Sequence, residues 1–109
     1  MPDPITIADF AKIELRTAKV LEAKPHPNAD KLIVLQVDVG GERKQICAGI
    51  KLHYTPEDLV GKTIIVVNNL QTAMLRGEES QGMLLAASDA DSVVILRPER
   101  DMPSGCVVK

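Results

Sequence analysis

The stretch KIELRTAKVLEAK, residues 12–24, admits two readings, and the fold turns on which one holds. Its residues are good helix formers, and Ile13, Thr17, Val20 and Leu21 fall on one helical stripe. Yet Ile13, Leu15 and Thr17 alternate, and Ala18 and Val20 then alternate in the opposite phase. A strand interrupted by a bulge produces such a slip. As a helix, residues 6–24 would lie on an open sheet. As a bulged strand, this stretch would be the strongly curved first strand of a barrel, bending to pair at both of its ends.

The rest of the chain favours the strand. PHPNAD (25–30) is rich in turn formers. In KLIVLQVDV, Ile33, Leu35, Val37 and Val39 form one apolar face and Gln36 and Asp38 the other, the period-2 pattern of a strand. Gly40-Gly41 permits a tight hairpin into RKQICAG. YTPEDLVG (54–61) opens like a short helix, with Thr55 as cap, Pro56 at the first position, and Tyr54 and Leu59 as staple. ITIADF uses the same device, with Thr6 as cap and Ile5 and Phe10 as staple. TIIVVNNL, MLLAAS, SVVILR and SGCVV are short and β-rich. Three strands, a short helix, then two closing strands is the order of an OB-fold. The expected fold is therefore all-β with short helices: a five-stranded Greek-key OB barrel over 12–97, a helical extension at 1–11 and a C-terminal extension at 98–109, in one domain.

A chain of 109 residues supports one core, and with 45% apolar residues it needs no metal or disulfide to fold. Phe10 and Tyr54 are its only aromatics, so that core is aliphatic. Cys47 and Cys106 form no CxxC pair, and free thiols in a cytoplasmic protein are expected. No segment is long and apolar enough to span a membrane, and no leader pattern opens the sequence.

Enzyme signatures are missing. His26 and His53 have no metal-ligand spacing, and both read as surface or partly packed residues. Ser80 lies in ESQG rather than GxSxG, and no Gly-rich phosphate loop is present. No catalytic residue, metal or cofactor is expected. Arg16, Lys19, Lys31, Arg43, Lys44, Lys51 and Arg76 fall on or beside the expected strands and loops. They form either an ordinary solvated surface or a nucleic-acid face. The net charge of −2 argues against a strongly basic binder, and the scarcity of aromatics argues against single-strand stacking. Any nucleic acid bound would be a structured RNA read through shape, backbone and 2′-hydroxyls.

NNLQTAMLRGEESQGMLLAAS (68–88) sets a polar, glycine-containing segment between two apolar runs. Here a resemblance emerges. ADKL, VDVGGE, AGI, VGK, NL and RGEESQGMLLAAS occur in order, and with them the chain resembles the tRNA-binding domain family from Ile5 to Lys109. That family includes the carboxy-terminal dimerisation domain of methionyl-tRNA synthetase and free-standing dimeric tRNA-binding proteins. The resemblance implies an OB-fold homodimer that binds the outside corner of tRNA with little regard to sequence. It also implies a methionyl-tRNA synthetase catalytic chain as a further partner. Carried over by motif, the binding residues are Lys31, Asn69, Arg76, Ser80 and Met83. Gln81 accompanies Ser80 as a neutral donor, and Arg16, Arg43, Lys44 and Lys51 complete the basic set. Residues 70–82 would be a rim loop in which Gly77 and Gly82 let the backbone approach a phosphate. Relatives have lysines between NL and RG where this chain has QTAML, which implies weaker binding. A secretion-chaperone branch of the same fold, dimeric and peptide-binding, is the alternative. Ile5, Ile7, Phe10, Val93–Leu96 and Val107–Val108 are the expected dimer surface.

Overall fold

In a computed structural model, which describes residues 2–109, the chain is a curled β-barrel with two one-turn helices. The elements are α1 (Ile7–Phe10), β1 (Leu15–Pro25), β2 (Ile33–Val39), β3 (Glu42–Ala48), α2 (Pro56–Leu59), β4 (Thr63–Val67), β5 (Ala73–Leu75), β6 (Glu78–Ser80), β7 (Met83–Leu84), β8 (Ala86–Ser88), β9 (Val93–Ile95) and β10 (Val107–Val108). The main sheet runs β3-β2-β1-β4-β7, all antiparallel, with β10 added to the start of β1. Ser80 and Gln81 then return to β3, which gives the strand order of an OB barrel.

β1 is the strand the barrel requires. Residues 15–19 pair with β4 and residues 19–25 with β2, so one strand serves two neighbours. The bulge is present, but not where the alternation slips. The register shifts between Val20 and Glu22, whereas pairing through Thr17 and Ala18 is continuous. The phase change at 17–18 has another cause: both faces are covered there. Ala18 points into the core, and Thr17, on the other face, lies under residues 103–106. Its Oγ1 donates to the Pro103 carbonyl at 2.7 Å and accepts from the Cys106 N–H at 2.9 Å.

The core is aliphatic. Ile33, Leu35 and Val37 from β2, Ile46 from β3, Ile64 and Val66 from β4, and Leu59 from α2 are all buried in one cluster. Each such side chain contributes about 1.5–3 kcal/mol on leaving water. Thr6 and Thr55 cap the two helices, accepting from the Asp9 and Asp58 N–H groups at 3.1 and 3.3 Å. Gly40 and Gly41 make the β2–β3 turn with φ of 63° and 96°, the left-handed pair a two-residue hairpin needs. Tyr54 packs against the core, and its hydroxyl accepts from the Ile95 N–H at 3.1 Å. Cys47 and Cys106 are free thiols, and burial pushes the Cys47 thiol up.

Candidate nucleic-acid interface

β1 is 11 residues long, about 35 Å if straight. Its two ends separate Arg16 and Lys44 from Lys31, Lys51 and Arg76, and the two groups have different surroundings.

At the start of β1, Arg16 and Lys44 are engaged by neighbouring groups of the fold. The Arg16 guanidinium donates to Glu14 Oε1 at 2.9 Å and to the Gly105 carbonyl at 3.1 Å. Lys44 Nζ donates to the Asn68 carbonyl and Oδ1 at 3.1 and 2.8 Å and lies 3.4 Å from Glu42. Asn68 Nδ2 in turn donates to Glu14 at 3.2 Å. The Arg16 bond, followed by that of Asn68, holds the Glu14 carboxyl below the usual carboxylate range. Asn69 accepts from the Glu14 N–H at 2.8 Å and donates to the Lys12 carbonyl at 2.7 Å. Arg16, Asn68 and Asn69 thus tie residues 12–14 to the barrel, and Lys44 holds Asn68 in place. Arg43 stands apart, paired with Glu22 at 3.1 Å on the exposed sheet face.

At the other end, where β1 passes into β2, the loop 26–32 meets the segment 68–82. That segment is no plain rim loop. It folds into the hairpin β5–β6, with Leu75 opposite Glu78 and Arg76-Gly77 as its two-residue turn. Both turn residues are left-handed, with φ of 55° and 93°, and Arg76 is the only non-glycine in that conformation among the described residues. Type I′ turns favour Asn, Asp or Gly there, so an arginine with a β-carbon is held against its preference. The hairpin tip reaches the 26–32 loop, and Arg76, Lys31, Asn28, Ala29 and Asp30 line a cleft of about 380 Å³. The Lys51 N–H donates to the Lys31 carbonyl at 3.3 Å, which brings residue 51 beside residue 31. None of Lys31, Lys51 and Arg76 takes part in an ion pair among the described residues.

Ser80, Gln81 and Gly82 lie elsewhere than the rim, and the expectation for Ser80 needs correction. Ser80 is 4% exposed; its Oγ accepts from the Cys47 N–H at 3.0 Å and donates to the Gly82 carbonyl at 2.9 Å. Gln81 clamps Gln45, its N–H donating to the Gln45 carbonyl at 2.7 Å and its Oε1 accepting from the Gln45 N–H at 2.9 Å. These bonds close the barrel between β3 and β7. Gly82 is a packing glycine, because a β-carbon there would lie 2.8 Å from the Val67 carbonyl oxygen. Met83 is 47% exposed on β7 while its neighbour Leu84 is buried, so Met83 is not core.

The residue that sequence reasoning undervalued is His26. It is buried at 4% exposure, and both ring nitrogens are bonded. Its flanking prolines signal a fixed backbone, but its partner, Leu75, is remote in sequence.

The family model described as "Putative tRNA binding domain" matches residues 15–106. The chain belongs to the tRNA-binding domain family. It is 55% identical over 104 residues to the methionine–tRNA ligase of Methanococcus aeolicus and 54% identical over 104 to that of Thermotoga maritima. Each alignment covers 95% of this chain but only 15% and 16% of the respective ligase. What aligns is a binding module, and the chain spans about one sixth of those enzymes. Among solved structures, a MetRS-related protein from Pyrococcus horikoshii superposes with a TM-score of 0.93 at 34% identity, covering 99% of this chain and 100% of that one. The chaperone CsaA of Bacillus anthracis superposes at 0.89 with 31% identity, covering 98% and 100%. The OB-type fold and the tRNA-binding module are thereby established.

Proposed function

We propose that this tRNA-binding domain meets its RNA at the end where Lys31, Lys51 and Arg76 converge. The observation that carries the proposal is the cleft shared by Lys31 and Arg76, two unpaired cations on different loops. Gln81, bonded to Gln45, and the half-exposed Met83, paired with Val67, lie away from this cleft and would meet only a tRNA that extends along β3 and β7. Neither aromatic side chain is available for stacking at this end: Tyr54 is packed against the core and Phe10 lies on α1. Recognition is therefore of the backbone and the tRNA corner rather than of bases.

The domain works as a homodimer. Ile7, Phe10, Ile13, Val107 and Val108 line an apolar groove of about 730 Å³ beside the start of β1. Ile5, Ile7 and Val107 are 65%, 82% and 60% exposed in the single chain, and Val94 and Leu96 add a second exposed pair. A patch of this kind is expected to be covered. The module serves a methionyl-tRNA synthetase catalytic chain in the cytoplasm, as part of the same polypeptide or as its partner. Residues 1–109 act as one binding unit.

A second reading has a specific support: the likeness to CsaA, described as a chaperone, together with the same apolar groove. On that reading the dimer binds unfolded peptide. A gel-shift titration with bulk tRNA, duplex DNA and an unfolded peptide separates the two. Binding of tRNA at micromolar protein, with weak binding of the other two, is expected. Peptide binding without tRNA binding would refute the first reading.

A further inference from the structure

We infer that His26 is the positioning residue of this interface: it fixes the hairpin tip, and with it Arg76, against the loop that carries Lys31. The inference rests on the reading that this end of the barrel meets tRNA.

The protonation state follows from geometry. Asn28 N–H lies 2.9 Å from His26 Nδ1, and a backbone N–H can only donate. Nδ1 is therefore the acceptor and the ring proton sits on Nε2. Nε2 then donates to the Leu75 carbonyl at 2.7 Å. Asn28 Nδ2 lies 3.4 Å from the next carbonyl, that of Arg76. One loop thus holds two successive peptide carbonyls of the hairpin tip.

The hairpin needs this support. β5 and β6 have three residues each and form a two-stranded sheet of their own, marginal by itself in water; Glu79 and Ser80 of β6 are bonded to β3, whereas β5 pairs with no other strand. Its turn also carries the left-handed Arg76. On the other side, Pro25 and Pro27 restrict the backbone around His26, so the anchoring loop is itself stiff. The tie joins two cation-bearing loops and lies outside the main hydrophobic cluster. Its product is a fixed distance between charges, which spares the RNA complex the cost of ordering the tip.

Two substitutions dissect the ring. His26→Asn keeps an acceptor for the Asn28 N–H and loses the donor to Leu75. His26→Gln can return an amide donor to the Nε2 position. With the folded fraction checked by thermal melting, His26→Asn is expected to weaken tRNA binding about 3- to 10-fold, the effect of one hydrogen bond, and His26→Gln to restore most of it. In an Arg76→Ala background, His26→Asn should have no further effect, because there is no Arg76 left to position. Losses that multiply, or a His26→Asn protein that binds like the parent, overturn the inference. If Arg76→Ala alone binds like the parent, it is the interface reading that fails, and this inference falls with it. Should His26→Asn not fold, the unsubstituted protein decides through nitrogen NMR of its imidazole. A slowly exchanging Nε2 proton is expected, and a ring protonated on Nδ1 alone overturns the assignment.

Discussion

Gly105 packs against Gly40 so closely that a β-carbon on Gly105 would lie 2.5 Å from the Gly40 α-carbon. This contact seats residues 103–106 across the barrel. The Gly105 N–H donates to the Thr17 carbonyl at 2.7 Å, and the Gly40 N–H donates to Ser104 Oγ at 3.2 Å. Gly105 also has a φ of 82°. Gly105→Ala is therefore expected to cost about 2–4 kcal/mol, from backbone clash and left-handed strain together. Urea denaturation measures it. A loss under about 0.5 kcal/mol would mean that the strap is not seated as described. The folded fraction should bind tRNA normally, since Arg76 lies at the other end of β1.

Arg76 is expected to trade stability against function. Arg76→Asn relieves a left-handed arginine and should raise stability by about 1 kcal/mol. The same change removes one charge-assisted phosphate contact and should weaken tRNA binding by about 1–2 kcal/mol. Melting and titration on one preparation test both signs. A variant that is less stable yet binds normally would show that Arg76 serves the turn rather than the RNA.

Ser80→Ala should act in the opposite sense. It strips the Cys47 N–H and the Gly82 carbonyl of their buried partner. A destabilisation of about 1–3 kcal/mol is expected, with tRNA affinity of the folded fraction nearly unchanged. Reduced affinity at parental stability would return Ser80 to the RNA-contacting set.

These contrasts trace what local sequence can encode. The alternation in β2, the Gly40-Gly41 turn and the two threonine caps depend on residues within a few positions of one another, and they were legible. So was the need for a bulge in β1. Its position was not, because burial of Thr17 depends on Pro103 and Cys106, more than eighty residues away. The surroundings of the motif residues were hidden in the same manner. Ser80 and Asn69 look polar and available in a linear reading, yet each is bonded to a remote backbone group. Lys31 and Arg76 share a cleft across a contact between remote segments, where His26 and Asn28 bond the Leu75 and Arg76 carbonyls.

Salt dependence separates the two groups of cations. If only Lys31, Lys51 and Arg76 neutralise phosphates, log K should fall with log salt at a slope of about −2 to −3 for each end that a tRNA engages. Arg16 and Lys44, locked by Glu14, Asn68 and Glu42, should add nothing. The slope should lose nearly one unit in Arg76→Ala and stay unchanged in Arg43→Ala, whose guanidinium is paired with Glu22. A slope that falls in Arg16→Ala or Lys44→Ala would bring the β1-start group into the interface.

The proposed dimer gives the last expectation. Ile7 is 82% exposed in the single chain, so Ile7→Asp should leave monomer stability within about 0.5 kcal/mol of the parent. Placing a carboxylate in a desolvated, self-complementary groove is far more costly, and in a two-fold interface the charge enters twice. Sedimentation at micromolar concentration should shift from dimer to monomer. The dimer carries two tRNA-binding ends, so a tRNA touching both gains from effective concentration, and dissociation should weaken its binding by more than any one cation does. If Ile7→Asp remains dimeric, the groove beside β1 is not the interface, and Val94 and Leu96 become the surface to test. If it becomes monomeric and binds tRNA as tightly as the parent, each copy binds alone and the dimer serves another purpose.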